Sequence, residues 1–225
     1  MMLVNKQMAI KIIRRLADHF NITFDSFHTR FSPFELLIST IISQNTNWRN
    51  TQRAFENLKL NFSIDPKSLA LADISALENA LKIAGLHRVK ARVIKYVSQI
   101  IHFCLNDDLS IFDKLSLEEA RKILLLLPGI GYKTADILLL FSFNKPVFPI
   151  DTHIFRVTRR IGFVQRKVNY ENLRQIMESL LPADLYKIAH ISLIMLGRQY
   201  CRPKNPKCNL CPIRDHCLFI RNEKL

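Results

Sequence analysis

The chain has 225 residues, enough to bury a sizeable core as one large domain or two small ones. Its 48% hydrophobic and 23% charged residues are those of an ordinary globular protein, and no apolar run reaches the ~18 residues of a membrane span; the longest, Ala135 to Phe143, contains Asp136. Thirty-three Lys and Arg against nineteen Asp and Glu give a net charge of +14, which favours a polyanionic partner, nucleic acid ahead of a membrane surface.

The first predicted helix covers 4–20. Ile10, Ile13, Leu16, Ala17 and Phe20 recur at helical spacing with Lys11, Arg14 and Arg15 between them, the pattern of an amphipathic helix packed on the body. Nothing in Met1 to Phe20 resembles a signal peptide, so the chain is expected inside the cell, with its five cysteines as thiols or ligands. Ser32-Pro33-Phe34-Glu35 combines an N-cap, a proline at the first helical position and a glutamate at the third, opening a helix over 33–44. Helices follow at 48–59, 67–71, 74–83 and 87–105, the last holding a lone Cys104 read as a core residue; Trp48, the only tryptophan, is read as a core residue or as a ring that stacks on a base. Ser116-Leu117-Glu118-Glu119 is a capping box for 116–126. Helices at 132–142, 152–161, 169–180 and 183–199 complete an all-α reading, with Asp151 as a cap candidate for the helix at 152–161. Asn144-Lys145-Pro146 is the expected crossing between two lobes.

Leu127-Pro128-Gly129-Ile130-Gly131-Tyr132-Lys133 joins two of these helices as a helix–hairpin–helix. Gly129 and Gly131 are expected to take positive φ and to let a phosphate approach the helix N-terminus, a contact that positions a duplex without reading its bases. Lys133 stands in the first turn, where a positive charge is unfavourable. It is either a second phosphate contact or a nucleophilic amine, since a neutral amine can attack a sugar C1′ and form a Schiff base. Asp151, eighteen residues further on, is either a plain N-cap or a carboxylate that stabilises charge on the sugar as a glycosidic bond breaks. Residues 151–225 hold fourteen Lys and Arg against six Asp and Glu, a net +8. Within them Cys201, Cys208, Cys211 and Cys217 are spaced C-x6-C-x2-C-x5-C. Zinc more often shows two C-x2-C pairs, so one pair flanked by two singles favours a four-iron, four-sulfur cluster, with zinc and disulfides as the alternatives. Arg202, Lys204 and Lys207 give the first loop a basic face suited to phosphate.

These segments resemble endonuclease III and the wider helix–hairpin–helix DNA glycosylase superfamily over almost the whole chain. Leu127 to Asp136 looks like the family's hairpin, Lys133 falls on its catalytic lysine, Asp151 in Val147 to Val157 on its aspartate, and the cysteine spacing on its iron–sulfur pattern. The resemblance implies two helical lobes with a DNA-binding cleft between them: a six-helix barrel over 27–145, and a 4Fe–4S lobe from 1–26 and 146–225. It implies a monomeric, intracellular, nucleoid-associated enzyme. Its activity would be that of an N-glycosylase and abasic-site lyase on duplex DNA carrying a base lesion or abasic site, with oxidised pyrimidines as leading substrates. Gly85 to Ala91, with His87 and Lys90, resembles a further loop that approaches DNA. Ser43 to Trp48 departs from the pattern of endonuclease III itself; Gln44 or Asn45 is expected to fill the gap left by a flipped base. The alternatives are a monofunctional glycosylase for alkylated, mismatched or deaminated bases, in which Lys133 only contacts phosphate, and a damage binder without chemistry.

Overall fold

The computed structural model describes residues 4–23, 31–164 and 168–222, and all regular structure among them is helical. The helices are α1 (Lys6–Phe20), α2 (Pro33–Ser43), α3 (Trp48–Asn61), α4 (Pro66–Leu71), α5 (Ile74–Ala80), α6 (His87–Leu105), α7 (Ile111–Lys114), α8 (Leu117–Leu126), α9 (Tyr132–Phe143), α10 (Thr152–Ile161), α11 (Tyr170–Leu180), α12 (Tyr186–Gln199) and α13 (Leu218–Asn222). They fall into two units: one from the described residues of Thr29–Asn144, the other from those of Met1–His28 and Lys145–Leu225. The lobe boundary expected at 26–27 lies outside the described residues.

Side chains write most of the helix starts. Ser32 accepts from Glu35 N–H at 3.2 Å while the Glu35 carboxylate accepts from Ser32 N–H at 2.8 Å, and Ser116 with Glu119 repeats this capping box. Asn5, Asn47, Asp65, Asp73, Asp151 and Asn169 cap α1, α3, α4, α5, α10 and α11; such a cap stabilises by about 1 kcal/mol. The expected 4–20 helix begins at Lys6 because Asn5 is its cap. The helix expected over 74–83 stops at Ala80 and tightens into a 3-10 turn at Lys82–Ala84 ahead of Gly85; the one over 183–199 likewise opens with a 3-10 turn at Ala183–Leu185.

In the Thr29–Asn144 unit, α2 packs against α3, α6 and α9, burying Leu37, Ile38, Ile41 and Ile42 completely. The apolar stripe of α6, Ala91, Ile94, Val97 and Ile101, faces α4, α5 and α2. In the other unit α12 packs against α1 and α10, covering Ile12, Leu16, Ile154 and Leu193. Each such side chain contributes about 1.5–3 kcal/mol on full burial. The core reading is corrected for two residues: Cys104 is exposed, beyond the last buried position of α6, and Trp48 is 54% exposed at the start of α3, which leaves its stacking alternative. No single helix among the described residues is long and apolar enough to cross a membrane.

A buried ion pair locks the hairpin helices together. Arg121 on α8 donates through Nε to Asp136 Oδ1 at 2.7 Å and through Nη2 to Oδ2 at 3.2 Å, both side chains being buried, and the Tyr132 ring covers the guanidinium at 4.9 Å. Removing one partner strands a buried charge. Asp136→Ala is therefore expected to cost about 3–5 kcal/mol in chemical denaturation, much of it recovered in Arg121→Met/Asp136→Leu. A loss below 1 kcal/mol would show that the pair does not hold the hairpin.

Candidate active site

The turn between α8 and α9 is shaped by its glycines in two different ways. Gly129 has φ +74, and a Cβ there would sit 2.7 Å from Val93 Cγ1 on α6, so backbone and packing both require glycine. Gly131 does not take the expected positive φ: its backbone is extended at φ −98 and ψ 177. It serves instead as the N-cap of α9, where it offers no capping side chain and a Cβ would meet nothing within 4 Å. The approach to the first turn is thus open, the condition under which a helix N-terminus receives an anion. Lys133 is the second residue of this helix and is half-buried.

Two further loops meet the hairpin within the same unit. Gln44, just past α2, donates through Nε2 to Gly129 O at 3.0 Å and to Thr134 Oγ1 at 3.3 Å, next to Lys133. The amide expected to enter a base-sized gap is therefore engaged with the hairpin. Its neighbour Asn45 is the exposed one, in a left-handed conformation at φ +52 that asparagine tolerates. His87 begins α6 and is partly exposed, but Lys90 is 3% exposed, which corrects its expected place among the DNA-contacting residues of this loop. Its ammonium donates to Thr46 Oγ1 at 2.6 Å and Ala84 O at 2.9 Å, and burial alone pushes its pKa down to about 8. Sequence reasoning passed over Leu86, which stands at the tip of this loop with φ +49 and 57% of its surface exposed.

Asp151 is held by supports that are remote in sequence. The segment Val147–Ile150 is buried without helix or sheet partners, so side chains must satisfy its backbone. Phe148 N–H donates to Glu178 Oε1 at 2.9 Å, Ile150 N–H to the Tyr170 hydroxyl at 3.2 Å, and the Pro149 carbonyl accepts from His190 Nδ1 at 3.0 Å. Arg174 fixes Glu178 at 2.8 Å in turn. Asp151 is 8% exposed and caps α10, accepting from Ile154 N–H at 2.8 Å. Two residues on, His153 Nδ1 lies 2.9 Å from Arg156 Nη2; burial first, then Arg156 and Arg198, hold its pKa below the usual value against the pull of Asp151. The same guanidinium reaches Gly197 O at 3.0 Å and Cys201 O at 2.8 Å.

None of the five cysteines forms a disulfide among the described residues. Arg160 anchors the first loop of the terminal four, donating to Arg202 O at 2.6 Å and Pro203 O at 3.1 Å and approaching Cys201 Sγ at 3.5 Å. Arg202, Lys204 and Lys207 are exposed, as a phosphate-facing role requires. Among the described residues no three His, Cys, Asp or Glu side chains converge on one ion. The sulfurs nonetheless feel one another: burial first, and then the charges of Cys217, Cys201 and Cys208, push the Cys211 thiol up to about 11.

A helical hairpin with a first-turn lysine, followed by a helix-capping aspartate, defines a class. The chain belongs to the HhH-GPD superfamily of base excision DNA repair proteins, whose profile matches residues 38–183. It is 36% identical to endonuclease III of Thermotoga maritima over 220 residues, 96% of this chain and 93% of that protein. Endonuclease III of Sulfolobus acidocaldarius is also 36% identical, over 83% of this chain and 82% of its own length. A solved endonuclease III in a non-covalent DNA complex superposes with a TM-score of 0.84 at 24% identity, covering 99% of both chains, and so shares the all-α fold.

Proposed function

We propose that the protein is a bifunctional base-excision enzyme: it releases a damaged base from duplex DNA and cuts the strand at the resulting abasic site. Membership of the superfamily with both Lys133 and Asp151 in place is the observation that carries this reading. The open first turn of α9, Asn45, His87 and the basic residues Arg202, Lys204 and Lys207 would contact the duplex. Leu86 adds an exposed apolar tip of the kind that enters a base stack. The lesion nucleotide turns out of the stack, Asp151 stabilises positive charge on the sugar, and the Lys133 amine displaces the base at C1′. The resulting imine loses the 3′ phosphate by β-elimination. Such a protein works wherever the DNA is, inside the cell. Oxidised pyrimidines are the leading substrates, in line with the similarity to endonuclease III. Incubation with duplexes carrying single oxidised, alkylated or mismatched bases tests this: base release with strand cutting supports the reading, and base release with an intact strand would favour a monofunctional glycosylase.

The four terminal cysteines fit a 4Fe–4S cluster. Their C-x6-C-x2-C-x5-C spacing supports this, and they oppose one another's ionisation, a penalty that a cationic centre relieves. Cys201, Cys208, Cys211 and Cys217 would hold the cluster, whose part is to fold the loop carrying Arg202, Lys204 and Lys207. Anaerobically purified protein is expected to be brown with four iron atoms per chain, and Cys208→Ser to bleach it. A colourless protein containing one zinc would contradict this assignment.

A further inference from the structure

Lys90 is a buried ammonium that no step of the reaction uses. It is 3% exposed, and both its hydrogen-bond partners, Thr46 Oγ1 and Ala84 O, are neutral. It also lies in the first turn of α6, where a positive charge opposes the helix dipole. Lysine is seldom buried without a carboxylate, and a well-packed apolar side chain is often easier to accommodate. Stability therefore does not explain this residue, whereas what it ties together does.

The ammonium joins two loops that carry uncommon backbone conformations. Gln44–Asn47 contains Asn45 at φ +52, and Ala84–Leu86 contains Gly85 at φ +66 and Leu86 at φ +49. The Thr46 hydroxyl accepts from Lys90 and itself donates to Ala84 O, so three groups form one knot. From the same segment Gln44 reaches the hairpin at Gly129 O, and Gly129 rests on Val93, three residues beyond Lys90 on α6. Strained loops persist where surrounding contacts over-determine them, and here those contacts converge on one side chain.

We propose that Lys90 is a positioning residue for the DNA-facing edge formed by Gln44–Asn47, Ala84–Leu86 and the Leu127–Gly131 turn. This rests on the reading of the protein as a DNA glycosylase. Extruding a stacked, paired base costs unstacking free energy that contacts at fixed positions must offset, whereas an abasic nucleotide has no base to unstack. Loosening the edge therefore impairs base release more than cutting at an abasic site.

The test compares Lys90→Met with the wild type on two duplexes, one with an intact lesion and one with a preformed abasic site, alongside thermal unfolding. The expected result is an unchanged or raised Tm, single-turnover base release slowed about tenfold or more, and cutting at the abasic site slowed less than about threefold. Thr46→Val, which removes the shared hydroxyl at nearly constant shape, is expected to show the same split and decides the matter if Lys90→Met does not fold. Equal losses on both duplexes with a lowered Tm would make Lys90 merely structural, and unaltered base release would overturn the proposal alone. A wild type that releases no base from any lesion would overturn the glycosylase reading as well.

Discussion

Lys133→Gln is expected to abolish cutting at abasic sites, a loss on the order of 10³-fold or more, while duplex binding survives. Glutamine keeps most of the length and the polarity of the side chain but has no nucleophilic nitrogen. The substitution also removes a positive charge from the first turn of α9, where such a charge is unfavourable. Arg121, Asp136 and Tyr132, which fix the hairpin, are untouched. Single-turnover cutting and equilibrium binding measured on one preparation separate the two effects. Cutting within tenfold of wild type would reduce Lys133 to a phosphate contact.

Asp151→Asn is expected to slow base release by about 10²–10³-fold with little change in stability. The local structure makes this substitution a clean one. Asparagine caps a helix as well as aspartate does, so Ile154 N–H, now 2.8 Å from Oδ1, keeps an acceptor. The network behind it, Glu178, Tyr170 and His190 on the Val147–Ile150 backbone, does not involve the carboxylate. What the variant loses is the negative charge that would stabilise the developing cation on the sugar. Unfolding and single-turnover rate are the paired measurements; a rate within a few-fold of wild type would return Asp151 to its capping role.

The helices were legible because their starts are written locally. Ser32 with Glu35, Ser116 with Glu119, and Asp151 each announce a helix within four residues, and each cap is present. The short helices α7 and α13 escaped notice because four or five residues show no period. The apolar residues of α6 outnumber the positions it can bury, so Cys104 was assigned to the core by composition although it lies on the exposed side. The hairpin, Lys133, Asp151 and the cysteine spacing could be read from motif alone. Direction could not. Lys90 turns inward to Thr46 and Gln44 turns onto Gly129, choices made by loops brought together from distant parts of the chain. Gly131, expected at positive φ, instead serves by lacking a side chain in front of α9. The supports of Asp151, from Tyr170 to His190, carry no local signature at all.

In the proposed reaction one amine of this chain bonds covalently to the sugar of a damaged nucleotide. Borohydride reduction during turnover on a lesion duplex, followed by proteolysis and mass spectrometry of the cross-linked peptide, tests it most directly. An adduct mapped to Lys133 is the predicted result. No adduct while base is being released, or an adduct on another lysine, would contradict it.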